Sequence, residues 1–185
     1  MNSFWLAFSK FWFKLVGWRL ASSIPADIRQ GMMIAAPHTS NWDFMHARAA
    51  FFLMRRNVRF TVKKEWTDIP LLGKLMMSLG ALPIDRSKNN SMVEAMKALF
   101  EQHPDLIILI TPEGTRKYQP RWRRGYYHVA QAAGVPILLG FLDYSRKEAG
   151  VGPVVYPTGN YDADEEEIKA FYRTKKGRFP EQGIR

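Results

Sequence analysis

The sequence predicts an α/β domain, a central mostly parallel mixed sheet flanked by helices and preceded by an amphipathic amino-terminal helix. Two observations predict it. Short β-type apolar runs alternate with helical segments of about 10 to 15 residues, without repeats or low-complexity linkers. The 185 residues match one domain, and a chain of that size buries about 70% of its unfolded surface, so no disulfide or structural metal is needed for a core. Cysteine is absent, which removes disulfide frameworks, thiolate metal sites and cysteine nucleophiles together.

Residues 1–20, MNSFWLAFSKFWFKLVGWRL, read as a helix lying flat on an interface. At about 100° per residue Phe4, Phe8, Phe11, Leu15 and Trp18 share a face, Trp5, Trp12 and Val16 widen it, and Lys10 and Lys14 point away. Docking of this stripe onto the chain's own domain is the alternative, and both can hold at once. The segment reads better as such a helix than as a signal peptide, because Lys10, Lys14 and Arg19 interrupt the apolar run and no small-residue cleavage site follows.

Met32 to Ala36 is an apolar strand ending at Pro37, and the spacing from Trp42 to Arg56 predicts a helix with Thr39, Ser40 or Asn41 as its cap. Arg59 to Val62 alternates like a strand, Leu71 to Leu79 is a short helix closed by Gly80, and Ala81 to Ile84 is another extended piece. Ser91 to Gln102 carries the clearest helix signal: an S-x-x-E capping box at Ser91 and Glu94, a buried stripe of Met92, Ala95, Met96 and Leu99, and Pro104 beyond the end. Leu106 to Ile110 is an unbroken aliphatic strand suited to the middle of a sheet covered on both faces. A helix from Gly125 to Ala133 ending at Gly134 follows, then strands over Val135 to Leu142 and Gly152 to Tyr156. The last helix, Asp164 to Arg173, has acids leading and bases trailing, as the helix dipole favours. Residues 21–173 therefore form the domain, and 174–185 a flexible basic tail.

Lys and Arg number 27 against 17 acids, a formal charge of +10 that favours anionic partners: nucleic acid, anionic phospholipid or phosphorylated small molecules. No segment reaches the roughly 20 uninterrupted apolar residues of a membrane span. The choice among partners then falls to motifs at strand ends, where α/β domains place ligands.

Pro37-His38-Thr39-Ser40-Asn41-Trp42-Asp43 sets a His in the turn after a strand and an Asp in the opening turn of the next helix. The gap lets Asp43 accept a hydrogen bond from one ring nitrogen of His38 and leaves the other as a base able to deprotonate an alcohol. A helix-capping network explains the same pair equally well. A metal site built on His38, Asp43 and His46 lacks further ligands, and Ser40 lacks a nucleophile elbow, so neither metal nor serine chemistry is expected. Thr111-Pro112-Glu113-Gly114-Thr115-Arg116 follows the buried strand. Its Gly permits close backbone approach, and its Arg beside a small hydroxyl makes a phosphate cradle. Lys117, Arg121, Arg123 and Arg124 continue the charge, interleaved with Tyr118, Trp122, Tyr126 and Tyr127. Gly80 to Arg86 delivers a second arginine after an apolar run, and two arginines near one edge suit a phosphomonoester.

Taken in order, these segments resemble the glycerolipid acyltransferase superfamily, the lysophosphatidic acid and glycerol-3-phosphate acyltransferases. The His-x4-Asp block corresponds to His38 through Asp43, the Gly and Ile-x-Arg block to Gly80 through Arg86, and Pro-Glu-Gly-Thr-Arg stands intact at Pro112 to Arg116. The fourth block appears as Val135-Pro136-Ile137-Leu138-Leu139, with Leu139 where the family carries a second Pro. Pro37 precedes the His where many members have Asn.

The resemblance implies acyl transfer from a thioester, carried by coenzyme A or acyl carrier protein, to a hydroxyl of a lysophospholipid or glycerol phosphate, with no further cofactor. His38 would act as general base and Asp43 would fix its tautomer. Arg86 and Arg116 would hold the acceptor phosphate, Gly114 and Thr115 would let it approach, and Glu113 would orient an arginine or the acceptor hydroxyl. Amides at the start of the helix near Trp42 are candidate oxyanion donors. A lysolipid acceptor lies in a membrane, so the expected partner is an anionic membrane surface, met peripherally at its cytoplasmic face through the aromatic helix. Nucleic acid is not expected, although a basic domain stacking bases on the aromatics of Arg116 to Tyr127, or a non-catalytic lipid binder, would also explain the charge.

Overall fold

The predicted strands Met32 to Ala36 and Leu106 to Ile110 read as unbroken apolar runs because their successive residues are buried on opposite faces of one sheet. The computed structural model describes residues 3–84 and 92–185, apart from the side chains of Lys63 and Ile84. Its elements are α1 (Ser3–Val16), β1 (Arg19–Leu20), β2 (Gly31–Ala35), α2 (Trp42–Met54), β3 (Val58–Lys63), α3 (Lys64–Thr67) and α4 (Leu72–Ser78). They continue with β4 (Ala81–Ile84), α5 (Met92–Gln102), β5 (Ile107–Ile110), α6 (Gly125–Ala133), β6 (Ile137–Asp143), β7 (Glu148–Val155) and α7 (Tyr161–Arg173). The strand order is β1-β7-β6-β2-β5-β3-β4. Every neighbouring pair is parallel except β6 with β7, which gives the mixed, mostly parallel sheet expected.

Met32, Ile34, Ile108, Ile137 and Leu139 face α5, α6 and α7, where they meet Met96, Phe100, Tyr126, Val129, Ile168 and Tyr172. Met33, Ile107 and Leu138 face the other way, toward Phe13 and Trp18 and toward Ala49, Ala50 and Phe51 of α2. Adjacent strands β2 and β5 therefore send their following helices, α2 and α6, to opposite sides of the sheet. Such a switch point opens a crevice at the carboxyl ends of the two strands. Ile34 pairs with Ile110, so the loops carrying His38 and Gly114 leave the sheet side by side.

The structure departs from the sequence reading in several places. Strand β7 begins at Glu148 rather than Gly152, because Glu148 to Gly150 pair with the far end of β6 despite having no apolar signature. The two residues of β1 and the four of α3 are too short for periodicity to reveal. Met92, expected in the buried stripe of α5, is exposed, and Met96 and Phe100 are the residues that reach the core. Ser91 of the predicted capping box lies outside the described residues, as does Arg86. Helix α7 starts earlier, at Tyr161, with the Asn160 side chain accepting from the Ala163 amide at 3.4 Å.

Helix α1 divides its apolar surface between two directions. One side docks on α2, with Trp5 stacked on Phe52 at 5.8 Å and Trp12 stacked on Trp42 at 6.2 Å, and it buries Ser9 and Phe13. The other leaves Phe4, Phe11 and Leu15 more than 60% exposed. The tail 174–185, expected to be flexible, is instead packed against the loop after β2. Lys176 accepts the Tyr144 amide at 2.9 Å, Gly177 is buried beside Thr39, the Phe179 amide donates to Thr39 Oγ1 at 3.3 Å, and Ile184 joins the core. Its polar composition hides these few, mostly backbone, attachments.

Candidate active site

The loop from Ala36 to Asn41 is wound around the carboxylate of Asp43. Asp43 Oδ2 accepts the Thr39 and Ser40 amides, each at 2.9 Å, and lies 3.0 Å from His38 Nδ1. Asp43 Oδ1 accepts the Tyr144 hydroxyl at 2.6 Å. Burial pushes the Asp43 carboxyl up, but the hydrogen bonds from His38, Tyr144 and the Ser40 amide outweigh it and hold the group below its ordinary value. Asp43 is thus ionised at neutral pH, so the proton sits on His38 Nδ1 and Nε2 is left with a lone pair for a substrate. The imidazole and carboxylate meet, as the spacing of the two residues predicted.

Asn41 occupies the cap position of α2 without a side-chain cap bond, and the Trp42 amide donates to Ser40 Oγ at 3.2 Å. The amides of Thr39, Ser40 and Trp42 are therefore committed, which removes them as the oxyanion donors expected at this helix start.

Glu113 also takes a different place from the one expected. Its carboxylate accepts the backbone amide of His38, at 3.0 and 3.3 Å, and so ties the loop after β5 to the loop after β2. The residue is 6% exposed. Burial pushes its carboxyl up to about 8; the hydrogen bond from His38 opposes the rise and the charge of Asp43 adds to it.

Gly114 has φ +65°, and a Cβ there would come within 2.7 Å of Arg123 Nε. The glycine thus admits the Arg123 side chain. Thr115 Oγ1 accepts the Lys117 amide at 3.3 Å, and the Arg116 guanidinium donates to Asn41 Oδ1, bringing the third motif block onto the first. Arg123 lines the cavity in front of His38, and Arg116 does not. The sequence signal for Arg123 was its place in the basic run; its neighbours Trp122, Tyr126 and Tyr127 are buried in the core and unavailable for stacking on bases.

The cavity has a volume of about 540 Å³, within the usual range for small-molecule sites. His38, Asn41, Asp43, Thr61, Thr111 and Arg123 are among its polar lining residues, Gly114 lies with them, and Phe44, Ala47, Phe51, Phe60, Met92 and Met96 are among its apolar walls. Arg48 closes one side. Its guanidinium donates to the Val58 carbonyl at 2.9 Å, lies 4.7 Å from the Phe52 ring, and passes beneath Gly80, where a Cβ would approach its Nη2 to 2.9 Å. Burial lowers its pKa to about 10, with the charge of Arg59 contributing, so it remains a cation. Gly80 of the second motif block therefore has a packing reason to be glycine. His46, buried and pushed down to about 4 mainly by that burial, is neutral; it accepts Trp12 Nε1 at 3.3 Å and stacks on Trp18 at 4.2 Å.

The acyltransferase family model matches residues 19–138 of the chain. The crystal structure of the 1-acyl-sn-glycerophosphate (LPA) acyltransferase PlsC from Thermotoga maritima is similar in fold, with a TM-score of 0.60 and 16% sequence identity over 90% of this chain and 76% of that one. A comparison with curated proteins gives no match.

Proposed function

The chain belongs to the acyltransferase family, within the glycerolipid acyltransferase superfamily its motif blocks resemble. We propose that it moves a fatty acyl group from an acyl thioester, of coenzyme A or acyl carrier protein, to a hydroxyl of a lysophospholipid or glycerol phosphate. The observation that carries this reading is the 3.0 Å contact between His38 and an ionised Asp43 in the wall of an apolar cavity that also presents Arg123.

In this mechanism the acceptor hydroxyl gives its proton to His38 Nε2 as its oxygen attacks the thioester carbonyl. The tetrahedral species then collapses, breaking the carbon–sulfur bond, and the imidazolium returns the proton to the leaving thiolate. Asp43 stays ionised throughout and balances the imidazolium. The acyl chain lies along the apolar walls. Arg123 holds the acceptor phosphate from the cavity and Arg116 supports it from the rim, where its bond to Asn41 fixes it beside α2. Arg86 retains the phosphate-binding role its motif implies. Positioning dominates the rate, since oriented reactants gain about 7–11 kcal/mol over free encounter.

The test is release of free thiol from acyl-coenzyme A and acyl-carrier-protein donors against a panel of lysolipid and glycerol phosphate acceptors. Turnover with a phosphorylated glycerolipid acceptor supports the reading; thiol release that no acceptor stimulates, or none at all, overturns it.

The membrane part of the proposal is peripheral association at the cytoplasmic face. No helix among the described residues is long and apolar enough to cross a membrane. Exposed Phe4, Phe11 and Leu15 on α1, with Trp66, Leu71 and Leu75 around α3 and α4, supply apolar surface, and the +10 charge favours an anionic leaflet. Deleting α1 would also remove Trp5, Trp12 and Phe13 from the domain, so point changes are the cleaner probe. Phe11→Glu and Leu15→Glu together are expected to lower partitioning onto phosphatidylcholine–phosphatidylglycerol vesicles at least about tenfold without lowering Tm. Unchanged flotation would remove α1 from the membrane contact.

A further inference from the structure

We propose that Tyr144, in the turn between β6 and β7, is a positioning residue for acyl transfer: its hydroxyl holds Asp43 Oδ1 so that Oδ2 stays aligned with His38 Nδ1. The inference rests on the His38–Asp43 mechanism. Tyr144 lies outside residues 19–138, the part matched by the family model, and in none of the motif blocks.

The geometry distinguishes this role from simple packing. Three donors converge on Oδ2, but they leave the carboxylate able to swing about that oxygen; a fourth donor on Oδ1, at 2.6 Å, removes that freedom. The tyrosine is itself held from several directions. Its amide donates to the Lys176 carbonyl at 2.9 Å, and its ring meets the Trp18 ring edge-on at 4.9 Å and His46 at 5.7 Å. Its neighbour Ser145 fixes the turn through two bonds to Asp143 Oδ1, from the amide at 3.0 Å and from Oγ at 2.6 Å. The segment after α1 and the carboxyl-terminal tail thus both brace one phenol against the reacting pair. A phenylalanine would satisfy the ring contacts, so the hydroxyl requires its own explanation.

The explanation is control of the shared proton. When His38 becomes imidazolium, its Nδ1 proton lies between imidazole and carboxylate. A donor on Oδ1 makes Asp43 a weaker base, so the proton stays on the ring and the return to the thiolate runs through Nε2. The other charged or titratable groups around the carboxylate are His38, His46, Glu113 and Arg178, of which Arg178 acts on Tyr144 and His46 from the tail. Removing only the hydroxyl keeps all four groups but takes from Arg178 the phenol oxygen that accepts its hydrogen bond.

The experiment compares Tyr144→Phe with the wild type in the full chain, by thiol release over a range of pH. Loss of one hydrogen bond to a charged group is expected to lower kcat about 10- to 100-fold, with KM for donor and acceptor within about twofold. The acid limb of kcat/KM should move to higher pH, because Asp43 without the Tyr144 donor takes up a proton more readily. A second arm replaces Tyr144 by 3,5-difluorotyrosine, whose more acidic hydroxyl keeps the contact and should move the acid limb to lower pH. Opposite shifts in the two arms establish the role. Wild-type kcat and pH profile in Tyr144→Phe, or a rise in KM alone, overturn it; if that variant fails to fold, an unmoved acid limb in the fluorinated protein does so. Retention of full activity by His38→Ala would instead overturn the mechanism on which the inference rests.

Discussion

Replacing His38 with alanine is expected to lower kcat about 10²- to 10⁴-fold, the usual contribution of a positioned general base, with KM for the acceptor changed by less than about threefold. The reason is a separation of tasks in the cavity. In the proposed mechanism arginines hold the phosphate, the acyl chain lies on apolar side chains of α2, β3 and α5 that line the cavity, and His38 contributes to neither. Asp43→Asn should cost a comparable factor, because an amide in place of the carboxylate no longer holds the imidazole in the tautomer with Nε2 free. Combining the two changes should then lower the rate little further than His38→Ala alone, since an orienting group has nothing to act on once the base is gone. The measurement is steady-state thiol release by both single variants and the double variant. Retention of more than about a tenth of wild-type kcat by His38→Ala would show that the imidazole is not the base.

The His38–Asp43 contact was legible because it is local: a strand end, a short loop and the first turn of a helix bring the two side chains together whatever the rest of the fold does. The same local logic failed for the amides of that loop. The Asp43 carboxylate draws in the Thr39 and Ser40 amides, so a donor available at an ordinary helix start is already bonded here. Glu113 lies 75 residues from His38 in sequence, and no periodicity reports that its carboxylate meets the His38 amide. Only the parallel register of β2 and β5 explains it. Helix α1 is apolar over so much of its circumference that its docking and exposed sides were indistinguishable. The choice is made by Phe52, Trp42 and His46 on α2, which accept Trp5 and Trp12. The motif blocks conveyed more than periodicity could, yet Arg123, Tyr144 and the packed tail lie outside them, in segments whose composition reads as solvated surface.

Replacing Glu113 with glutamine is expected to stabilise the protein at pH 8 relative to pH 5, when each is compared with the wild type at the same pH. The sign follows from proton binding. Between 4.5 and about 8 the folded chain keeps the Glu113 proton that the unfolded chain has released, so wild-type stability falls as pH rises through that window. Above about 8 the group is ionised in both states and the deficit is constant. The rise in pKa corresponds to at most about 5 kcal/mol across the window. Glutamine keeps an oxygen to accept the His38 amide and carries no charge to bury, so the variant lacks this term; any packing cost of its amide is the same at both pH values. Thermal melts of wild type and Glu113→Gln at pH 5 and pH 8 give the comparison, and an equal Tm difference at the two would show that the carboxyl titrates normally. The ionisable group is costly to keep at this position in the folded chain, which is the balance expected where a residue serves a site rather than stability. Its service is visible in the geometry, since this carboxyl, together with the Arg116–Asn41 bond, anchors the loop that presents His38 to the segment after β5.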